Sequence, residues 1–136
     1  MAKISEAALR RLEKAARSAA RCAYAPYSHF PVGAAVLGKT GRVYAGCNVE
    51  NASYGLCTCA ERTAICSAVA AGERSIKAVA VYTPTPLPTA PCGACRQVIH
   101  EFGAETLVFS FCDSKTRIDT RISALLPAAF GPGDLA

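Results

Sequence analysis

The sequence predicts an α/β domain in which helices pack on a mixed sheet. The periodic segments run helix, hairpin, helix, strand, helix, strand, the order of a layered α/β domain rather than a bundle or a sandwich. Hydrophobic residues make up 51% of the 136 positions and charged residues 18%, too apolar and too weakly charged for a disordered segment. A chain of this length forms one domain, 1–136, and can bury roughly two-thirds of its unfolded surface without a disulfide or a metal to hold it.

Ile4, Ala8, Leu9, Leu12, Ala15, Ala16 and Ala19 recur at helical spacing, so the first 21 residues read as an amphipathic helix. Its mostly alanine side suits close approach to a sheet. Arg10, Lys14, Arg17 and Arg21 form the opposite face, read as solvated rather than as a phosphate or membrane contact. Pro26 and Pro31 punctuate the loop that follows. Val32–Leu37 and Arg42–Val49 read as strands of a hairpin turning at Gly38-Lys39-Thr40-Gly41. A helix begins near Cys59 and ends by Gly72, and Ile76–Tyr82 is a short apolar strand. The proline-rich stretch from Thr83 to Pro88 is a connector without regular structure. Cys92–Phe102 reads as a helix closed by Gly103, Thr106–Phe111 as a strand, the stretch around Ile118 as a weaker strand, and Ser123–Leu126 as a last helical turn.

No apolar stretch approaches the ~20 residues of a membrane span, and the first residues mix charged and apolar groups unlike a signal peptide. A cytoplasmic, reducing setting is therefore expected. Eight cysteines, at 22, 47, 57, 59, 66, 92, 95 and 112, then read as thiols rather than as a disulfide framework. Cys22, Cys47, Cys66 and Cys112 are expected to be small buried packing residues.

The chemistry concentrates in Cys59-Ala60-Glu61 and Pro91-Cys92-Gly93-Ala94-Cys95. Both groups fall at a helix start, where backbone N–H groups and the helix dipole favour a thiolate, the metal-binding form. Three cysteines leave one corner of a tetrahedral zinc open for water, the arrangement of a catalytic site. Glu61 is two positions from Cys59, close enough to serve that water as a proton carrier. A His or Cys, any residue, Glu, then Pro-Cys-x-x-Cys is the signature of zinc-dependent nucleobase deaminases. Plainer readings are a closed structural zinc with Cys57 as fourth ligand, a redox dithiol at Cys92 and Cys95, or packing thiols throughout. For Arg62 the expectation is electrostatic. Three thiolates on Zn²⁺ carry a net negative charge, which a neighbouring guanidinium withdraws in part.

With these motifs the sequence resembles the cytidine deaminases of the short-chain, homotetrameric kind. The resemblance runs from Ala23–Ser28 through Phe30–Ala35 and Gly46–Gly55, then through Cys59–Ala64, Pro91–Gln97, and Leu125–Pro127 with Ala129–Pro132. It implies a three-layer α/β/α fold around a five-stranded mixed sheet and one zinc per subunit on Cys59, Cys92 and Cys95. Glu61 would shuttle protons, Asn48 and Glu50 would hold ribose hydroxyls, and the Ala60 backbone would meet the base. Phe30 would flank the pyrimidine, Phe130 would arrive from a neighbouring subunit, and Tyr54 would line the site or the subunit contact. An amide beside a carboxylate suits hydroxyls that both donate and accept, and residues two apart on an extended strand share a face.

The implied reaction is hydrolytic deamination of cytidine and deoxycytidine, part of pyrimidine salvage, with zinc-bound water attacking C4. Rival readings are deamination of an aminonucleoside antibiotic of the blasticidin S type, editing of cytosine in RNA or DNA, and a zinc-stabilised binding module without turnover. Editing requires a basic track interleaved with aromatics. The N-terminal helix lacks the aromatics, so no nucleic-acid partner is expected.

Overall fold

In the computed structural model, which describes residues 3–136, Ser5 caps the first helix, α1 (Glu6–Ala20), by accepting a hydrogen bond from the Ala8 amide at 3.1 Å. Residues 1 and 2 of the expected domain lie outside the described residues. The hairpin strands are β1 (Gly33–Gly38) and β2 (Val43–Cys47), and the turn between them uses Gly41 at φ 89°, a conformation that favours glycine. Then come α2 (Ala60–Ala70), β3 (Ile76–Tyr82), α3 (Gly93–Phe102), β4 (Leu107–Phe111), β5 (Ile118–Arg121) and the short α4 (Ile122–Leu125). Gly72, at φ 103°, turns the chain out of α2.

The five strands form one mixed sheet in the order β2-β1-β3-β4-β5. Only β3 and β4 run parallel, joined by the crossover that contains α3; the other neighbours are antiparallel. Alternation along the central strands divides the core in two. Ala34, Val36, Val79 and Val81 face α2, α3 and α4, with Ile65, Ile99 and Ile122 packed against them. Ala35, Leu37, Ala78 and Ala80 face α1, where they meet Leu9, Leu12 and Ala16. The result is the expected α/β/α sandwich.

Three expectations need correction. Of the four cysteines assigned to packing, only Cys112 is buried, while Cys47 is half-buried and Cys22 and Cys66 are exposed. Cys22 lies past the end of α1, and Cys66 is on the outer side of α2, one position round from buried Ile65. The basic face of α1 is not uniformly solvated. Arg17 stacks 4.5 Å over the Tyr82 ring, pairs with Glu13 and donates to the Cys112 carbonyl at 3.0 Å. Finally, β2 ends at Cys47, so Asn48 and Glu50 lie beyond the strand on extended chain held by single bridges from Val49 to Tyr24 and to Thr58.

Close approach of α1 to the sheet depends on Gly33, which faces the helix where a side chain has no room. A Cβ there would overlap the Ala16 carbonyl and stand 2.6 Å from the Ala20 amide nitrogen, both backbone atoms that cannot swing aside. Gly33→Ala is therefore expected to cost about 3 kcal/mol, the upper part of the usual overpacking range. Urea unfolding followed by circular dichroism checks this, with the midpoint falling well below that of the parent chain.

Candidate metal centre and adjoining cleft

Cys59 is the N-cap of α2 and Cys92 the N-cap of α3, both in extended backbone conformation and neither using its sulfur to cap its own helix. The two helix starts lie side by side, so the sulfurs face one another at 3.8 Å. Cys95, in the first turn of α3 and buried, completes a trio whose sulfurs all lie within 4.8 Å. Tetrahedral zinc–thiolate bonds of about 2.3 Å place sulfurs about 3.8 Å apart, so this spacing and donor set fit a zinc ion. Cys57 is turned away: its sulfur accepts from the Asn51 amide at 3.3 Å and faces the Asn51 carbonyl at 3.7 Å. The closed four-sulfur reading therefore lacks its fourth ligand.

Glu61 is buried in the first turn of α2 and accepts from the Cys95 thiol at 3.5 Å. Burial, more than the neighbouring Cys59 sulfur, pushes its carboxyl above the usual range. The thiols divide their charge unevenly. Cys59 is lowered to about 5, first by its hydrogen bond with Cys95 and then by Arg62 and Cys92, whereas the same contact with Cys59 raises Cys95. Arg62 donates Nη2 to the Cys59 sulfur at 3.4 Å, which strengthens its own hold on its proton. Its Nε is buried with no hydrogen-bond partner among the described residues.

From the thiols a cleft of ≈ 320 Å³ runs along the end of the sheet, a volume suited to one small molecule. Phe30, Asn48, Glu50 and Ala60 line it together with Cys59, Glu61 and Cys92. Gly46 makes this possible, because a Cβ there would overlap the Ala64 amide and stand 2.9 Å from the Ala60 carbonyl, holding α2 off β2. Thr63 reinforces the contact by donating to the Cys47 carbonyl at 2.8 Å. Asn48 uses both ends of its amide on the facing loop, donating to the Phe30 carbonyl and accepting from the Val32 amide, each at 2.8 Å. Glu50 accepts from the Tyr27 and Ser28 amides and from the Ser28 hydroxyl, which hold its carboxyl below the usual range, the hydroxyl first.

Two residues implied by the resemblance fall outside the cleft of this chain. Tyr54, 73% exposed, faces Tyr27 at 5.8 Å between ring centres and borders a neighbouring hollow with Glu50 and Cys57. Phe130, 58% exposed, is held by its carbonyl, which accepts from Gln97 at 2.8 Å. Conversely, sequence reasoning left out Ser28, Val32, Val81, Thr83, Thr89 and Ala90, all of which line the cleft. Ser28 stands in the Ala25-Pro26-Tyr27-Ser28 segment, where its role was not visible. Thr83 and Thr89 flank a proline-rich stretch whose course no periodicity reveals. A larger groove of ≈ 470 Å³, between the start of α1 and strands β4 and β5, contains Lys3, Arg117, Asp119 and Arg121 but none of the converging thiols.

Sheet order, paired helix starts and three-thiol centre together define a zinc-binding nucleobase-deaminase domain. Residues 6–111 match the family model for the cytidine and deoxycytidylate deaminase zinc-binding region. The chain belongs to that family. It is 50% identical over 115 residues to a cytidine deaminase of Sporosarcina psychrophila, covering 84% of this chain and 85% of that protein. It is 48% identical to one of Halalkalibacterium halodurans, covering 91% and 95%. The crystal structure of cytidine deaminase from Burkholderia pseudomallei superposes with a TM-score of 0.86 at 49% identity, covering 93% of this chain and all of that one.

Because Cys95 and Arg62 hold Cys59 near 5, metal-free protein should be alkylated by iodoacetamide at Cys59 already at pH 6, where a thiol of pKa about 8.5 is almost wholly protonated. Added zinc should suppress the labelling. Peptide mass mapping with and without zinc checks both outcomes, with exposed Cys22 and Cys66 as internal standards.

Proposed function

We propose that this protein hydrolyses free cytidine and deoxycytidine to uridine and deoxyuridine with release of ammonia, as a zinc enzyme of pyrimidine salvage in the cytoplasm. The observation that carries this reading is a buried Glu61 set against three converging thiols at one end of a cleft whose other end presents Asn48, Glu50 and Phe30. Cys59, Cys92 and Cys95 hold the zinc, which when bound supplies a Lewis acid that makes water a nucleophile near neutral pH.

Glu61 moves the protons. Its carboxylate accepts one from the attacking water and delivers it to ring N3, which draws electrons away from C4. It then takes the second proton, from the hydroxyl newly bonded to C4, and passes it to the amino group as the C4–N bond breaks, so that the carbonyl forms and ammonia leaves. A carboxyl raised by burial suits both directions, since a proton carrier works best with a pKa near the working pH. Ala60 opens α2, where first-turn N–H groups lack intrahelical partners and can meet the base. Phe30 flanks the pyrimidine, and Asn48 and Glu50 receive the sugar hydroxyls. Arg62 offsets the negative charge of the thiolates.

We propose further that the working form is a homotetramer in which a neighbouring subunit supplies Phe130 to the cleft. Support comes from the apolar side chains left exposed beside it. Tyr24 and Val49 are bridged to each other, Tyr27 faces Tyr54, and Leu56 is on the same turn. Contiguous exposed apolar surface of this kind marks an association face. Light scattering at assay concentration tests the mass.

The direct experiment incubates zinc-loaded protein with cytidine, deoxycytidine, blasticidin S or a cytosine-containing oligonucleotide and follows product by absorbance and chromatography. Turnover of the two free nucleosides alone is expected, and activity confined to the antibiotic or the oligonucleotide would replace this reading. Glu61→Gln should keep its zinc and lose at least about 10²–10⁴-fold in kcat, the usual contribution of a general acid–base group. Cys92→Ser should instead bind zinc far below one ion per chain by elemental analysis, because a hydroxyl replaces a thiolate ligand.

A further inference from the structure

We propose that Ser28 is a positioning residue for the sugar end of the substrate: its hydroxyl locks the Glu50 carboxylate in one orientation and ties it to the loop that carries Phe30. The inference rests on the nucleoside reading of the cleft. Both residues line that cleft, and Ser28 lies between the two groups it organises.

The hydrogen-bond inventory of this corner is closed on one side and open on the other. Glu50 Oε1 accepts from the Tyr27 amide at 3.0 Å and the Ser28 amide at 3.1 Å, which use both of its lone pairs. Oε2 accepts from the Ser28 hydroxyl at 2.5 Å, which leaves one acceptor position for a substrate hydroxyl. Having donated its only proton there, Ser28 Oγ accepts from the Phe30 amide at 3.1 Å. The same oxygen therefore fixes the carboxylate that meets the sugar and the backbone of the aromatic that flanks the base. His29, between them at φ 55°, turns the loop so that these bonds close.

This arrangement requires an ionised Glu50. Around that carboxylate stand His29 on the same loop, Tyr27, Tyr54 and Cys57 on the outer side, and Cys59 and Glu61 across the cleft. His29 favours ionisation only weakly beside the Ser28 contributions. Removing the hydroxyl therefore moves the Glu50 pKa back up toward the ordinary carboxylate range. Capture of the sugar, which depends on the ionised form, then fails at a higher pH on acidification than in the parent.

Ser28→Ala is the test, with Ser28→Thr as the variant that keeps the hydroxyl. For Ser28→Ala the KM for cytidine should rise at least about fivefold, the scale of a lost bond to a charged acceptor, while kcat stays within about twofold. The acid limb of kcat/KM should move to higher pH, and Ser28→Thr should restore both values. An unchanged KM and acid limb in Ser28→Ala, a fall in kcat alone, or a Ser28→Thr variant as impaired as Ser28→Ala would each overturn the proposal. Failure of the parent chain to turn over any nucleoside would instead overturn the functional reading. The clamp itself is then decided by carbon-13 NMR titration of the Glu50 carboxyl without nucleoside. An upward shift in Ser28→Ala supports it, and an unmoved titration overturns it.

Discussion

Two helices that begin at the same place, each on a cysteine, are the constraint from which the rest of the site follows. A cysteine at an N-cap has its sulfur outside the helix and its neighbours' amides pointing outward, so two such caps side by side put sulfur against sulfur at metal spacing. The third sulfur needs only one turn of α3. Glu61 is carried in by the same geometry, because its place in the first turn of α2 buries its carboxyl against the Cys95 thiol at the head of the cleft. Burying a carboxyl beside three thiols is electrostatically unfavourable. The chain offsets part of that cost with the Arg62 guanidinium and with the positive ends of the two helices. The thiols divide their protons unequally, the Cys59–Cys95 contact and Arg62 favouring the thiolate on Cys59 and the thiol on Cys95. Metal binding must displace the remaining protons, so it strengthens as pH rises through the range in which the thiols ionise.

The opposite end of the cleft is organised on another principle. No regular element holds Asn48, Glu50 or Phe30; all lie on chain that has left β2 or not yet entered β1. Their order comes from side chains bonding to the backbone of the facing loop, Asn48 to residues 30 and 32 and Glu50 to residues 27 and 28. Val49, between them, bridges to Tyr24 on one side and Thr58 on the other. A mechanism needs the metal end rigid, because proton transfer tolerates little misplacement. The other end, which on the proposed reading takes the sugar, has only to admit and align a small polar group. Fixing the first with helix starts and the second with a web of polar bonds matches each part of the cleft to its task.

What was legible in the sequence was whatever repeats or punctuates. β3 matches its apolar run end for end, and Gly72 and Gly103 close their helices where they stand. The three thiols and Glu61 were legible because a helix start with cysteine at fixed spacing has few other meanings. Exposure of single residues was not. Cys22 and Cys66 read as small hydrophobes, yet one lies past a helix end and the other faces outward from a helix whose other side is already filled. Arg17 read as one more solvated cation because the Tyr82 ring that receives it lies 65 positions away in the chain. Ser28 was silent for the same reason, since its partner is 22 residues further on and only the folded loop brings them together.

The cleft of one chain also leaves part of its apolar wall in solvent. Phe30, Val32, Ala60 and Val81 supply a wall, yet Phe30 remains 38% exposed, which is much for a ring proposed to flank a base. A pyrimidine bound there would keep one face in water, and the electrostatic advantage of a buried carboxyl would be reduced by solvent at the reacting carbon. On the proposed reading, Phe130 of an adjacent subunit covers that face and the exposed tyrosines are covered with it. Assembly and catalysis are then one equilibrium, because the surface that drives subunits together is continuous with the surface that excludes water from the substrate. Dilution below the dissociation constant of the assembly would lower activity without unfolding the chain, and substrate would favour the assembled form by the same free energy with which assembly favours substrate.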